Sequence, residues 1–220
     1  MESQGDLSGR SEARRARPPS QGGRRVRGPL VLGILGSARR RGNSGTLLEE
    51  ALAGAREAGA RTRILWPGGM SFAPCRACDL CSRDGECVIR DGAWEAYRLL
   101  AEAAAVVVVT PIYFGGIPAQ LKALIDRGQA LYFRKYRLGR GRDPRPGALL
   151  CISARNDPAY PRSCSTVIRT WFRVLDIELV EERCFPGYED PGAIAADPEA
   201  RAWARELGGR LIKWLSRATL

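Results

Sequence analysis

The sequence predicts an α/β fold in which a doubly wound, five-stranded parallel sheet has helices on both faces. Five apolar runs of strand length alternate with stretches of helical pattern, and several runs lack the polar alternation of strands with one solvated face. This order of elements predicts right-handed crossovers between parallel strands. The strands are predicted at residues 30–35, 62–66, 105–110, 148–153 and 177–184.

Three helices are predicted from their apolar faces. The helix after the first strand ends at Gly59, and its apolar face comprises Leu48, Ala51, Leu52 and Ala55. The helix after the third strand has Pro118 in its first turn and an apolar face of Leu121, Leu124 and Ile125. The last helix has Asp197 as its N-cap, and its apolar residues follow at spacing four: Trp203, Leu207, Leu211 and Leu215.

Composition divides the chain into an extension and one domain. Residues 1–28 are rich in Gly, Ser, Pro, Gln and Arg and are predicted to be a disordered basic extension, whereas residues 29–220 carry the apolar runs of a single domain. Much of the net charge of +11 lies in residues 1–27 and 134–145. No nucleic-acid-binding motif with interleaved aromatic residues accompanies either basic cluster, so we expect no nucleic-acid partner.

The sequence also lacks the marks of export or membrane insertion. Its longest apolar stretch, residues 103–109, is far shorter than the ~20 residues of a membrane span. An arginine pair at 24–25 precedes the run 30–35, as in a secretion signal, but this run is shorter than the roughly 7 to 15 apolar residues that such a signal needs. We therefore expect a soluble, cytoplasmic protein without a membrane partner.

The loop after the first strand, residues 36–46, reads GSARRRGNSGT and runs into a helix. A Gly- and Ser-rich turn at a helix N-terminus presents backbone N–H groups to an anion, while hydroxyl and amide side chains add donors and Arg39 adds positive charge. The lysine of a Walker loop, the GxGxxG pattern and an acidic residue for a ribose are all missing. The loop therefore predicts a monophosphate site, with a plain capped turn as the alternative.

The loop after the third strand reads TPIYFGGIP from Thr110 to Pro118. Its prolines stiffen the backbone, its two glycines allow a flat ligand to approach closely, and Tyr113 or Phe114 offers an aromatic face for stacking. An aromatic pair after a buried strand is also typical of a core. The position of this loop beside the phosphate loop, at the same edge of the sheet, favours a flat ligand.

The segments GSARRRGNS and PIYFGGIPAQLKALIDR resemble the NADPH-dependent FMN reductase and flavodoxin-like quinone reductase superfamily, over residues 30–127 and more loosely to the last helix. The resemblance implies a flavodoxin-like fold that binds FMN. It implies that the FMN phosphate is held by Ser37, Arg39, Asn43 and Ser44. It also implies that the flavin ring is lined by Pro111, Tyr113, Phe114 and Gly115. The loop after the fourth strand, residues 153–158, lacks the Gly-Gly often seen there in relatives.

A Cys-rich loop, predicted at residues 67–92, carries the spacing CxxCxxCx5C. Thiolates at this spacing can wrap a compact cluster, and sulfur ligands without imidazole are typical of iron-sulfur sites, whereas structural zinc usually uses two separated CxxC pairs. The spacing resembles that of the iron-sulfur flavoproteins, a branch of the same superfamily. This resemblance implies a [4Fe-4S] cluster near FMN, bound by Cys75, Cys78, Cys81 and Cys87. Vestigial or regulatory thiols and zinc remain the alternatives, and the other three cysteines are interpreted as packing residues.

Together these features predict an FMN-dependent oxidoreductase that transfers electrons. The chain has no histidine, which excludes Ser-His-Asp and Cys-His catalysis, but electron transfer to a flavin needs no protein nucleophile or base, and no catalytic residue is named. We expect electrons to pass between ferredoxin or NAD(P)H as donor, the cluster, FMN and a quinone, flavin or oxygen species as acceptor. The alternatives are a cluster-free NAD(P)H-dependent FMN or quinone reductase and a non-enzymatic flavodoxin-like electron carrier or thiol sensor.

The resemblance also implies an assembly. Members of the superfamily commonly form dimers in which the second subunit closes the flavin pocket, so we expect a homodimer or a higher homo-oligomer. Its interface is expected to include Trp171, Phe172 and the basic segment 134–145.

Overall fold

A computed structural model describes residues 28–218 and confirms the predicted α/β class. The strands are β1 (Leu30–Leu35), β2 (Arg61–Leu65), β3 (Ala105–Pro111), β4 (Arg145–Ser153) and β5 (Ile177–Pro186). They form one parallel sheet in the order β2-β1-β3-β4-β5. The helices are α1 (Asn43–Glu57), α2 (Gly92–Glu102), α3 (Ala119–Asp126), α4 (Gln129–Tyr136), α5 (Ala159–Val174) and α6 (Pro198–Ala218). The predicted extension, apart from Gly28, lies outside the described residues.

Helices cover both faces of the sheet, which explains why its central strands lack polar alternation. On one face, α1 and α6 pack against alternate residues of β1, β3 and β4. On the other face, α2, α3 and α5 pack against the intervening residues. Every residue of β1 and β4 is buried, whereas β2 lies at the edge of the sheet and is mostly exposed.

The predicted helix ends agree closely with the structure. Asp197 Oδ1 accepts the backbone N–H of Ala200 at 2.9 Å, as expected of an N-cap, and α6 begins at Pro198. Gly59 lies just beyond α1 with a left-handed φ of +89°. Pro118 is the N-cap of α3 and lies one residue before its first turn. No helix within residues 28–218 combines the length and the apolar character that a membrane crossing requires.

The fourth strand begins three residues before its predicted start. Its first residue, Arg145, is buried, and its guanidinium donates hydrogen bonds to the carbonyls of Leu100 and Ala103 at the end of α2. The charged side chain therefore satisfies the carbonyls that the helix leaves without partners. Gly147 is required here, because a β-carbon at this position would lie 2.5 Å from the ring of Phe172.

The expectation that Trp171 and Phe172 lie at a subunit interface is wrong. Both side chains belong to the core on the α5 face of the sheet and are only 3% and 0% exposed. Trp171 donates its Nε1–H to the hydroxyl of Tyr97 at 3.1 Å. Two adjacent aromatic residues can both be buried because the apolar face of α5 is wide, with Ile168 one turn and Cys164 two turns before Phe172.

The contact between α1 and α6 depends on two glycines. A β-carbon at Gly208 of α6 would lie 2.0 Å from the carbonyl oxygen of Ala51, and one at Gly54 of α1 would lie 1.8 Å from that of Arg205. The two helix backbones therefore touch without intervening side chains. The neighbouring Gly209 has nothing within 4 Å of the corresponding position.

These neighbouring glycines predict opposite effects on stability. We expect Gly208→Ala to lower the free energy of unfolding by about 3 kcal/mol, because the new methyl group must push backbone apart. Gly209→Ala is expected to raise it by roughly 0.5–1 kcal/mol, since alanine restricts the unfolded chain and favours the helix. Urea unfolding of both variants measures the difference. Equal effects of the two substitutions would contradict the close helix contact.

Candidate functional site

The reversal of strand order creates a candidate site at the carboxyl edge of the sheet. β1 lies between β2 and β3, and crevices at such a reversal bind ligands in open α/β sheets. Gly36 donates its backbone N–H to the carbonyl of Val109 at 2.8 Å. The β1 loop (residues 36–42) and the β3 loop (residues 111–118) therefore leave the sheet side by side. A β-carbon at Gly36 would lie 2.6 Å from Thr110 Oγ1, so only glycine allows this approach.

The β1 loop is held by the end of β2. Trp66 donates its Nε1–H to the carbonyl of Ser37 at 2.8 Å, and Ser37 Oγ accepts the backbone N–H of Arg39 at 3.1 Å. Ser37 is buried, whereas Arg39 is exposed. The loop thus holds a cation on a fixed backbone just before the N-terminus of α1, where the helix dipole also favours negative charge.

Asn43 and Ser44 are the first two residues of α1. Asn43 Nδ2 donates to the carbonyls of Asp190 at 2.9 Å and Tyr188 at 3.3 Å, and its Oδ1 accepts the backbone N–H of Ile194 at 3.1 Å. These bonds attach the start of α1 to the connection between β5 and α6. The Asn43 side chain is thus already bonded within the protein, while Ser44 is buried in the same first turn. Contact of either residue with a phosphate stays a prediction.

The β3 loop contains a tight turn with an exposed aromatic tip. Tyr113 and Gly116 exchange two backbone hydrogen bonds of 2.8 and 2.9 Å. The two residues between them, Phe114 and Gly115, have left-handed φ values of +48° and +74°. This conformation costs a residue such as phenylalanine about 1–2 kcal/mol. Phe114 adopts it with its side chain fully exposed, which is typical of a ligand- or partner-binding position.

The loop after β4 also reaches this edge, and side chains within it hydrogen-bond to its own backbone. Ser153 donates its hydroxyl to the carbonyl of Arg155 at 2.6 Å, and Asp157 Oδ1 accepts the backbone N–H of Ala159 at 2.8 Å. Tyr160, in the first turn of α5, extends towards the β3 turn: a β-carbon on Gly115 would lie 3.4 Å from its ring. Tyr160 therefore lies at the site, although no motif marked it in the sequence.

A second candidate site lies in the Cys-rich loop, which spans residues 66–91 because α2 begins at Gly92. One small cavity of about 20 Å³ is lined by all four cysteines of the motif, Cys75, Cys78, Cys81 and Cys87. Ala77 and Asp79, which lie between these cysteines in sequence, have left-handed φ values and bend the chain there. Burial, together with the nearby sulfurs of the other three cysteines, raises the pKa of Cys81. Within residues 28–218, no three Cys, Asp or Glu side chains stand close enough to bind a single metal ion.

Arg127, at the end of α3, holds the Cys-rich loop together. Its side chain is 2% exposed, and Nη1 donates to the carbonyl of Ala73 at 2.7 Å while Nη2 donates to that of Ile89 at 2.9 Å. Nη2 also donates to Cys87 Sγ at 3.4 Å. One guanidinium thus bonds both ends of the loop and one of the four sulfurs.

Asp91 balances the charge of this buried guanidinium. Its Oδ2 accepts from Arg127 Nη1 at 2.8 Å and from the backbone N–H of Ala73 at 2.9 Å, and its Oδ1 accepts from that of Ala93 at 3.1 Å. Burial opposes ionisation of Asp91, but the hydrogen bonds outweigh it and lower the pKa of the carboxyl below 3.8. Asp91 is therefore both the N-cap of α2 and the counter-ion of Arg127.

This pair predicts a pH-dependent stability. Because the folded-state pKa of Asp91 is lowered, its stabilisation is present in full above the unfolded-state value of about 3.9 and is lost as the pH falls through the folded-state pKa. We expect Asp91→Asn to lower the free energy of unfolding by about 3 kcal/mol at pH 7, since Arg127 loses its counter-ion. The deficit is expected to shrink below pH 4. Urea unfolding at pH 7 and pH 3 tests this, and a deficit independent of pH would contradict it.

A basic cleft of about 670 Å³ opens beside Cys87, between α2, α4 and the segment that precedes β4. Its walls carry five exposed or half-buried cations: Arg98, Arg134, Lys135, Arg140 and Arg142. Two carboxylates also line it, Glu86 and Asp176, and Asp176 pairs with Lys135. The basic segment 134–145 therefore forms a wall of this cleft, which retains an excess of positive charge.

The chain resembles known proteins in both sequence and structure. The family model for NADPH-dependent FMN reductase matches residues 29–159. An iron-sulfur flavoprotein of Archaeoglobus fulgidus is 39% identical over 113 residues, which are 51% of this chain and 57% of that protein. An iron-sulfur flavoprotein of Methanosarcina thermophila is 31% identical over 144 residues, which are 66% of this chain and 73% of that protein. The match thus spans little more than half of the first relative.

A solved structure of similar fold agrees with these sequence matches. The NAD(P)H:quinone oxidoreductase from Methanothermobacter marburgensis has a TM-score of 0.67 at 18% identity, covering 84% of this chain and 96% of that one. A flavodoxin from the domain Archaea, with a TM-score of 0.53 at 9% identity over 85% of this chain and 99% of that one, confirms the flavodoxin-like architecture. The matched residues 29–159 contain the β1 loop, the β3 loop and all four cysteines of the motif. The chain therefore belongs to the NADPH-dependent FMN reductase family, in its iron-sulfur flavoprotein branch.

Proposed function

We propose that the protein is an FMN-dependent NAD(P)H oxidoreductase that also binds a [4Fe-4S] cluster through Cys75, Cys78, Cys81 and Cys87. The observation that carries this proposal is that the four cysteines line one cavity, in a chain whose β1 and β3 loops leave the sheet side by side at the strand-order reversal. Two relatives, 39% and 31% identical to this chain over the matched residues, are named iron-sulfur flavoproteins. FMN would supply transfer of a hydride or of two electrons, and the cluster would supply single-electron steps.

The FMN site assigns different tasks to the two loops of the carboxyl edge. The phosphate would be bound by the N-terminus of α1 with Ser37, Arg39 and Ser44, while Asn43 keeps that helix end fixed through its bonds to residues 188–194. The ring would lie along Pro111, Tyr113, Phe114 and Gly115. Phe114, in the left-handed turn, is fully exposed, so no neighbouring element would obstruct its contact with the ring. These residues bind and orient a flavin and exclude water from one of its faces.

The residues of the Cys-rich loop fit an iron-sulfur cluster. The donor set consists of four thiols and no imidazole, which is the ligand type of such clusters. Arg127 Nε is buried and has no hydrogen-bond acceptor among residues 28–218, and inorganic sulfide is an acceptor that the protein itself does not offer. The buried guanidinium also offsets part of the negative charge that four thiolates bring together.

Anaerobic purification followed by iron, sulfide and FMN assays and a visible spectrum tests the proposal. We expect about four iron and four sulfide per chain together with bound FMN. FMN without iron would favour the cluster-free NAD(P)H-dependent FMN or quinone reductase, and zinc in place of iron would overturn the cluster. NAD(P)H consumption with a quinone, a flavin or oxygen as acceptor separates the enzyme from an electron carrier or a thiol sensor, because the latter two do not turn over.

The charge of the basic cleft supports the proposal that the electron donor is an acidic protein such as a ferredoxin. Its excess positive charge lies directly beside Cys87, so a negatively charged protein that docks there would approach the cysteines. Electrons would then enter at the cluster and leave through FMN to a quinone, a flavin or an oxygen species. A rate of ferredoxin-dependent reduction that does not fall with rising salt concentration would contradict docking through charge.

The exposed tip of the β3 loop supports a homodimer or a higher homo-oligomer. Phe114 is fully exposed, and a second subunit that covers the flavin would also bury this ring. Size-exclusion chromatography with light scattering measures the assembly. A monomer at micromolar concentration would remove this part of the proposal.

A further inference from the structure

The Cys-rich loop depends on a residue that lies outside the cysteine motif. Arg127 is 40 residues from Cys87 in sequence, yet its Nη2 donates to the Cys87 sulfur at 3.4 Å. The same guanidinium bonds the carbonyls of Ala73 and Ile89, which lie on either side of the four cysteines. A cation in contact with one sulfur and with both ends of the loop can act on the charge of the site as well as on its shape.

Burial makes the charge of Arg127 effective at this distance. Its side chain is 2% exposed, so the field at the sulfur is screened by water much less than that of a surface arginine. Asp91, the partner of the guanidinium, is 19% exposed and contacts it through Nη1 and not through Nη2, which faces the sulfur. Arg127 Nε is also buried and has no hydrogen-bond acceptor among residues 28–218, so this N–H too could donate to the proposed cluster.

Arg127 also connects the two candidate sites along the chain. It follows α3, which begins at the β3 loop and is eight residues or about 12 Å long. The residue that follows one end of α3 therefore contacts Cys87, while the other end of the helix continues into the residues proposed to line the flavin.

We propose that Arg127 is a positioning residue that also sets the reduction potential of the iron-sulfur site, by donating to Cys87 Sγ and by placing a buried positive charge beside it. The inference rests on the proposed function, because it requires a cluster at these cysteines. Reduction adds one electron and so one negative charge to the cluster. A fixed cation and an N–H donor at a ligand sulfur stabilise the more negative state, and they therefore raise the potential.

Three variants test this, each titrated anaerobically with dithionite as reductant and followed by the visible and EPR spectra of the reduced cluster. Arg127→Gln removes the charge and the fork of donors, and we expect the reduction equilibrium constant to fall about tenfold, which is about 59 mV to more negative potential for one electron. Lys122→Gln is the matched control. It removes one positive charge from the same helix at an exposed position paired with Asp126, and we expect no shift.

The Asp91→Asn variant is expected to shift the reduction potential in the opposite direction. It keeps the guanidinium but removes its counter-ion, so we expect a more positive potential than in the wild-type protein. A purely structural role of Arg127 cannot produce opposite shifts from the two partners of one ion pair. Where Arg127→Gln fails to hold iron, the Asp91→Asn protein and Arg127→Lys, which keeps the charge, are measured instead.

The outcomes separate the inference from the proposed function. Wild-type protein that contains no iron or sulfide would contradict both the proposed function and the inference about Arg127. Wild-type protein that contains the cluster supports the proposed function, and the reduction potentials then test the role of Arg127. Equal potentials for wild-type and Arg127→Gln, or a potential of Asp91→Asn at or below that of wild-type, overturn the inference alone. Opposite shifts with an unchanged Lys122→Gln support it.

Discussion

Replacing Cys78 and Cys81 together by alanine is expected to reduce the iron content from about four atoms per chain to none. Two of four ligands would be missing, and the remaining thiols, Cys75 and Cys87, lie on opposite sides of the removed pair in sequence. Cys78 is exposed and Cys81 half-buried, so the substitution removes little packing. FMN content and NAD(P)H oxidation with a flavin acceptor are therefore expected to persist.

Iron and sulfide assays, together with the visible spectrum of the anaerobic protein, measure this effect. Cys184→Ala is the matched control, because this half-buried thiol of β5 lies outside the motif and 4.0 Å from Ser153 Oγ. It should leave the iron content unchanged. A double variant that still holds a full complement of iron would show that the four cysteines are not the ligands.

Reversal of charge at Arg39 is expected to weaken FMN binding about a hundredfold. If Arg39 binds the phosphate as proposed, the Arg39→Glu substitution removes a charge-assisted hydrogen bond and adds repulsion, a loss of about 3 kcal/mol in binding free energy. Arg39 is exposed, and the Ser37 hydroxyl accepts its backbone N–H and not its side chain, so the loop should keep its conformation. Quenching of flavin fluorescence on titration into apoprotein gives the dissociation constants.

Two comparisons isolate the phosphate contribution. Riboflavin has the same ring without the phosphate, so its affinity should be equal for the wild-type protein and Arg39→Glu. Arg63→Glu makes the same change of charge at an exposed position of β2 and should leave FMN affinity within a few-fold of wild-type. Equal losses for riboflavin and FMN would mean that Arg39 supports the loop rather than the phosphate.

The sheet could be predicted because buried strands and amphipathic helices leave different periods in the sequence. The five strands and the N-cap of α6 follow from patterns within a few residues. The start of β4 could not be predicted in this way, because Arg145 and Gly147 are typical of a surface turn. Their burial depends on the carbonyls at the end of α2 and on the ring of Phe172, which only the tertiary structure brings together.

The candidate sites likewise combine features that a local sequence pattern predicts with features that depend on the tertiary structure. Cysteine spacing and a Gly-rich loop are local signals, and the structure places the four cysteines around one cavity. Arg127 and Asp91 carry no local signal, since an arginine at a helix end and an aspartate before a helix are ordinary residues at such positions. The side-chain bonds of Asn43 to residues 188–194 are likewise invisible in a sequence pattern, because about 150 residues separate the partners.

The close approach of α1 and α6 constrains how the protein can be made. During synthesis on the ribosome, α1 emerges before α6, because the glycine of α6 that it contacts is 154 positions after Gly54. Until α6 leaves the exit tunnel, one face of the growing sheet is covered by α1 alone, and the beginning of α1 lacks the anchor from residues 188–194. We therefore expect the candidate site at the start of α1 to become fully formed only after residues 188–208 have left the exit tunnel.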